Sequence, residues 1–223
     1  MADRWATFDC YGTLIDWERG IQDALIDLWP DADPAHLLNL FHDIEPKVQE
    51  GSSMPYRVVL AETTKRLADE AGLALGPGDE ERLAASLPSW PPFPEVNAAL
   101  SELRSRGWKL AILSNTDPDL LAASIERIDV PIDIRITATE AGSYKPEPGH
   151  WERFFELSGA DRSRHVHVGA SLFHDIEPAS RLGLKAVWIN RLGEATNLPR
   201  EAELTDLAEL PDTLDGITPA EED

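Results

Sequence analysis

A short apolar run, WATF at residues 5–8, is followed by a long stretch without any strand periodicity, and strands return only from residue 109 onward. The later runs lie at 109–113, 134–137, 165–168 and 185–189. Helical spacing fills the gaps between them at 120–127, 150–157 and 176–182, and 96–106 leads into the second strand. Strands and helices in alternation imply right-handed crossovers and a parallel sheet covered on both faces. The stretch that interrupts the alternation carries helical signals alone, near 17–28, 34–45, 56–72 and 80–86. Asp33 and Pro34 read as N-cap and first helical residue of its second helix, and Pro46 is expected to stop that helix. A Pro-rich run at 87–95, with four prolines from Pro88 to Pro94, closes the excursion as a stiff connector. The fold expected is α/β: a Rossmann-like parallel core over residues 1–15 and 90–223, with an all-helical cap over residues 16–89 inserted after the first strand. An insertion past the carboxyl end of a central strand lies over the edge where such sheets bind ligands. It reads as a lid.

Composition narrows the partners. Among 223 residues, 41 acids against 20 bases leave a formal charge of -21. A surface that acidic repels phosphate backbones and anionic lipid, which argues against nucleic acid and against polybasic membrane attachment. No apolar run approaches the length of a membrane span, and the opening MADRWATFDC holds no signal-like stretch. The lone cysteine, Cys10, excludes an intrachain disulfide and a cysteine-built zinc cluster, and its place after Asp9 suits buried packing. The expectation is a cytoplasmic protein acting on a small molecule, with surface on the cap and connector for a homodimer. The closing PAEED reads as a solvated acidic tail.

Parallel strands deliver their last residues to one edge. Here the first supplies Asp9, Tyr11 and Thr13, the second Ser114 and Asn115, the segment after the third Lys145, and the fourth Ser171, His174 and Asp175. A carboxylate, a hydroxyl–amide pair, a lysine and a second carboxylate together support covalent catalysis by an aspartate nucleophile. The lysine holds the nucleophile ionised and offsets charge that develops on the reacting groups. Ser114 and Asn115 are also ordinary turn residues, and Asp175 is also a fitting helix N-cap. His165 and His167 alternate on the fourth strand and face one way, without an acidic neighbour in the sequence to complete a metal pair.

At these residues the chain resembles the haloacid dehalogenase superfamily. FDCYGTLID matches its first motif through Asp9 and Thr13, LSNTD the second through Ser114 and Asn115, SYKPEP the third through Lys145, and HVGASLFHDIEPA the fourth through Gly169 and Asp175. Phosphatases of the superfamily place a second Asp where Tyr11 stands, and paired fourth-motif acids where Ala170 leaves Asp175 alone. A phenol titrating near pH 10 is poorly matched to acid–base exchange at neutrality, and one acid fewer weakens a Mg²⁺ site. Asp-x-Tyr is the pattern of the L-2-haloacid dehalogenase branch, which works without metal.

That resemblance implies a mechanism. Asp9 displaces halide from a short 2-haloacid to form an ester, and water cleaves the ester to release a 2-hydroxyacid. Lys145 and Thr13 hold Asp9, Ser114 takes the substrate carboxylate, Asn115 helps receive the halide, and Asp175 orients Lys145 or the water. The pocket departs from the branch. Its cap arginine is absent, the stretch reading Leu40-Phe41-His42, and Trp151 stands in place of a tyrosine six residues after the lysine. His42 and Trp151 are therefore taken as substrate contacts with Tyr11, and His174 as a contact that could activate water. Arg19 and Arg57 are the other cap cations able to fold inward. Two alternatives stay open: a Mg²⁺-dependent phosphatase on a small phosphate ester, with Mg²⁺ as its only cofactor, and a catalytically idle binding protein.

Overall fold

The computed structural model describes residues 3–51 and 54–220; within the acidic tail, residues 221–223 lie outside the described part. Six strands, β1 (Arg4–Phe8), β2 (Trp108–Ser114), β3 (Ile134–Thr137), β4 (His165–Gly169), β5 (Lys185–Ile189) and β6 (Ala202–Leu204), form one sheet in the order β3-β2-β1-β4-β5-β6. Every neighbouring pair runs parallel. The five strands expected from periodicity are present. β6 is an addition: its three residues are partly or fully exposed, too short and too polar a run to announce a strand.

The chain winds outward from β1 to β3 on one side and from β4 to β6 on the other. The carboxyl ends of β1 and β4 therefore flank the point where the winding reverses, the crevice where such sheets hold ligands. β1 is buried along its length. Ala6 and Phe8 face one apolar layer with Ile112 and Val168, while Trp5 faces a second layer with Trp151, Phe154 and Trp188. Burial on both faces is why the strands read as continuous apolar runs.

Between β1 and β2 the chain is helical: α1 (Trp17–Leu28), α2 (Pro34–Gln49), α3 (Tyr56–Ala71) and α4 (Arg82–Ser86). α5 (Val96–Ser105), α6 (Pro118–Ile128), α7 (Ala138–Ala141), α8 (Gly149–Ser158), α9 (Glu177–Arg181) and α10 (Leu210–Ile217) follow. Asp33 caps α2 as expected, its carboxylate accepting from the Ala35 N–H at 3.1 Å. Pro46 does not stop that helix. α2 runs on to Gln49, because Ile44, Glu45, Val48 and Gln49 are all buried around the proline and the Glu50 N–H still closes on the Pro46 carbonyl at 2.9 Å. Packing outweighs the one backbone hydrogen bond that proline forfeits. Gly20 is where α1 meets the Pro-rich connector: a Cβ there would fall 2.2 Å from the Trp90 ring. No described helix is long and apolar enough to cross a membrane.

Polar contacts join the helical insertion to the strand edge. α3 has no side-chain cap of its own. Asp117, beyond β2, supplies it by accepting the N–H groups of Tyr56 at 2.8 Å and Arg57 at 3.0 Å. The Arg57 side chain closes on Asp117 and Asp119, so it does not turn into the interior. Arg19 stays at the surface beside Asp23.

Candidate active site

Asp9 leaves β1 and the chain doubles back at once. Gly12, at φ 90°, donates to the Ile15 carbonyl at 2.8 Å, and Leu14 and Ile15 both close on Cys10. A left-handed residue at the apex is what glycine permits cheaply. The turn brings Thr13, four residues on, beneath the carboxylate, where its hydroxyl donates to Asp9 Oδ2 at 2.8 Å and accepts from the Ala170 N–H at 2.9 Å.

Lys145 arrives from the segment between α7 and α8. Its backbone is clamped by Asn115, whose Oδ1 accepts from the Lys145 N–H at 2.6 Å while Nδ2 donates to the Lys145 carbonyl at 3.0 Å. Its ammonium donates to Asp9 Oδ1 at 2.8 Å and to Asp175 Oδ1 at 2.7 Å. Asp175 lies in one wide π-helical turn, Leu172–Ile176, directly ahead of α9. Its Oδ2 accepts from the Ser171 N–H at 3.2 Å. Gly169 gives that carboxylate room, since a Cβ there would sit 2.5 Å from its carbon.

Burial disfavours charge on all three groups, and their mutual attraction resists it. Burial tends to lower the Lys145 ammonium, but Asp175 and Asp9 outweigh it and hold Lys145 protonated well above the ordinary range. Burial raises Asp175 too, yet Lys145 and His167 prevail and keep it below the usual carboxylate range. Asp9 is the carboxylate pushed up, by burial first and by the Asp175 charge, against the pull of Lys145 and Thr13. One ammonium serves two carboxylates, and Asp9 is left the more basic of the two.

Beneath the triad runs a buried relay. His167 Nε2 lies 3.4 Å from Asp175 Oδ1, His167 Nδ1 lies 2.9 Å from the Thr7 hydroxyl, and that hydroxyl lies 2.8 Å from His165 Nε2. With both Nε2 atoms protonated, each donor in this chain meets an acceptor. The alternating histidines on β4 thus do have an acidic neighbour, Asp175, brought near by the fold. Burial holds His165 at about 3, so it stays neutral.

Above the triad a cavity of about 440 Å³ opens, lined by Asp9, Tyr11, Ser114, Asn115, Lys145, His174 and Asp175 from the strand edge, and by residues of the insertion. The Ser114 hydroxyl is buried with no hydrogen-bond partner among the described residues. Tyr11 presents its ring to the cavity while its hydroxyl meets Ser124 at 2.9 Å, and burial raises that phenol far above its ordinary range. His42 also lines the cavity, stacked on Trp17 and 3.7 Å from Glu18. Burial lowers His174 to about 4, leaving it neutral beside Ser171.

One sequence expectation is corrected and another is extended. Trp151 is fully buried, does not line the cavity, and lies edge-on to His167 at 5.1 Å, because α8 packs it under the sheet edge. Asn115 reaches the cavity, but its amide also holds the Lys145 backbone, with a long 3.5 Å contact to Gln49, a positioning contact the sequence reading did not include. Sequence reasoning missed Glu45 and Gln49 of α2 and Tyr56 of α3, which line the roof. Glu45 and Gln49 lie on the buried face of α2 with Leu38 and Phe41. A polar pair inside an otherwise apolar stripe was their signal.

The model of a haloacid dehalogenase-like hydrolase family matches residues 4–183. Haloacetate dehalogenase H-2 of Moraxella sp. (strain B) is 28% identical over 194 residues, covering 84% of this chain and 86% of that protein. (S)-2-haloacid dehalogenase 4A of Burkholderia cepacia is 25% identical over 227 residues, covering 93% of each. The solved L-2-haloacid dehalogenase of Xanthobacter autotrophicus with chloropropionic acid covalently bound shares the fold at TM-score 0.85 and 20% identity, over 96% of this chain and 99% of that one.

Proposed function

Since the chain belongs to the haloacid dehalogenase-like hydrolase family, we propose that it is a metal-independent dehalogenase that converts a short 2-haloacid to a 2-hydroxyacid through an ester on Asp9. The observation that carries this reading is the Lys145 ammonium held between Asp9 and Asp175 at the floor of the cavity beneath the helical insertion. The Asp9 carboxylate is desolvated with the Lys145 ammonium 2.8 Å away as its counter-charge, and a desolvated carboxylate is a stronger nucleophile than a hydrated one.

In the first step an Asp9 oxygen forms a bond to the halogen-bearing carbon, and the carbon–halogen bond breaks with its electron pair leaving as halide. In the second, water adds to the Asp9 carbonyl carbon and the ester C–O bond breaks; one water proton goes to the leaving oxygen, freeing the 2-hydroxyacid, and the other is released to solvent as the carboxylate is restored. Lys145 and Thr13 face the oxygens on which negative charge accumulates. Ser114, with its unpaired hydroxyl in the cavity wall, serves the substrate carboxylate. The residues of 16–89 act as the lid. The haloacid relatives support the substrate class.

The donor set supports metal independence. All four oxygens of Asp9 and Asp175 already accept from protein groups: Lys145 and Thr13 on Asp9, Lys145 and the Ser171 N–H on Asp175. A hard divalent ion needs several oxygen ligands, and here it would have to compete with the ammonium that already lies between the two carboxylates. The test is halide release from fluoro-, chloro- and bromoacetate and both 2-chloropropionate enantiomers, in chelator, with Asp9→Asn alongside. Release that needs Asp9 and ignores chelator is expected; release restored only by Mg²⁺ would return the phosphatase alternative.

A further inference from the structure

Asp9 attacks from the floor, and in-line displacement sends the leaving group away from the nucleophile, toward the roof formed by the helical insertion. A halide arriving there requires a hydrogen-bond donor. No arginine or lysine of the insertion lines the cavity, and Arg57 is occupied by Asp117 and Asp119. We propose that Glu45, carried on α2 into that roof, enters the displacement as a neutral acid whose carboxyl O–H donates a hydrogen bond to the departing halide. This assignment rests on the dehalogenation reading above.

Three observations carry it. Glu45 is 7% exposed and lines the same cavity as Asp9, Lys145 and Ser114. Among the described residues its carboxyl has no basic partner; its neighbours are the Gln49 amide, which donates to Oε1 at 3.3 Å, and the Tyr56 hydroxyl. Burial raises that carboxyl to about 7, against a partial offset from Tyr56. An ionised Glu45 would repel both the substrate carboxylate and the halide, whereas an un-ionised acid in a dry site is a strong donor to an anion. In the step itself the Asp9 oxygen–carbon bond forms, the carbon–halogen bond breaks with its electrons on the halide, and the proton stays on Glu45. No further reactant is needed. The titratable groups facing Glu45 are Tyr56, Tyr144, His42 with Glu18, and the Asp9–Lys145–Asp175 triad; Glu45→Gln leaves all of them in place.

The test uses sodium bromide as probe, bound to the full-length protein without haloacid and followed by bromide NMR line broadening. Bromide is expected to bind about tenfold or more tightly at about pH 6 than at about pH 8, and Glu45→Ala to lose that factor at the lower pH. Glu45→Gln, which keeps a donor but cannot ionise, is expected to bind at both pH values alike. In turnover, Glu45→Ala is expected to slow release of fluoride more than bromide, since fluoride is the stronger acceptor and the poorer leaving group. Bromide binding indifferent to Glu45 while haloacids still turn over overturns the proposal alone. Binding that follows the pattern while no haloacid is cleaved overturns the dehalogenation reading, and the leaving-group role with it.

Discussion

Lys145 carries more of the site's energetics than any other side chain, because its ammonium is the counter-charge for two buried carboxylates at once. Lys145→Met leaves Asp9 and Asp175 facing each other in a dry site. It is expected to cost about 3–5 kcal/mol of stability and to lower turnover by about 10²–10³-fold or more, read by urea denaturation and halide release; retained turnover would contradict the triad. Glu45 gives a second prediction at this scale. Its folded carboxyl titrates at about 7 against an ordinary 4.5, so the folded state holds the proton longer than the unfolded chain. The stability this contributes is complete below the ordinary value and is lost as pH rises through about 7, a change on the order of 2–3 kcal/mol. Denaturation of Glu45→Gln at about pH 5 and about pH 8 is expected to flatten that difference. Asp9, Thr13, Lys145 and Asp175 were legible because each sits in a motif that follows a strand. Glu45 was not, since the polar pair it makes with Gln49 in the apolar stripe of α2 marks an unusual face without saying what that face will meet.

Elements set where these residues can sit. Gly169 ends β4 directly under the Asp175 carboxylate, so Gly169→Ala would drive a methyl into it. The expected result is a native circular-dichroism spectrum with turnover down about tenfold or more, because Lys145 loses its second anchor; unchanged turnover would show that Asp175 has slack. The same scale explains what periodicity could not reveal. α2 continues through Pro46 because buried residues on both sides hold it, a tertiary effect absent from local propensity. β6 was invisible because three half-exposed residues carry no alternation. Trp151 was misplaced for a related reason: its spacing from Lys145 is a count along the chain, and α8 turns that position inward against His167.

Across the molecule, the alternation of elements implied a parallel sheet but not its strand order, and the observed order β3-β2-β1-β4-β5-β6 puts the segments that carry Asp9 and Asp175 just past the ends of neighbouring strands, at the winding reversal. The formal charge of -21 belongs to this scale as well. Glu18 and Glu194 add carboxylates to the cavity lining itself. An anionic substrate approaches against that field, so kcat/KM for a haloacid is expected to rise, by about two- to threefold, as a halide-free salt is brought to about 0.15 M. A fall would mean that local groups steer the substrate in. The covalent role of Asp9 is tested most directly by a single turnover in heavy-oxygen water, with the protein in excess over a 2-haloacid. The heavy atom is expected in the Asp9 carboxylate, read by mass spectrometry of the peptide that contains it, while the product hydroxyl carries ordinary oxygen from Asp9. Heavy oxygen in the product hydroxyl with Asp9 unlabelled would mean that water attacks the substrate carbon directly, and the ester mechanism would be wrong.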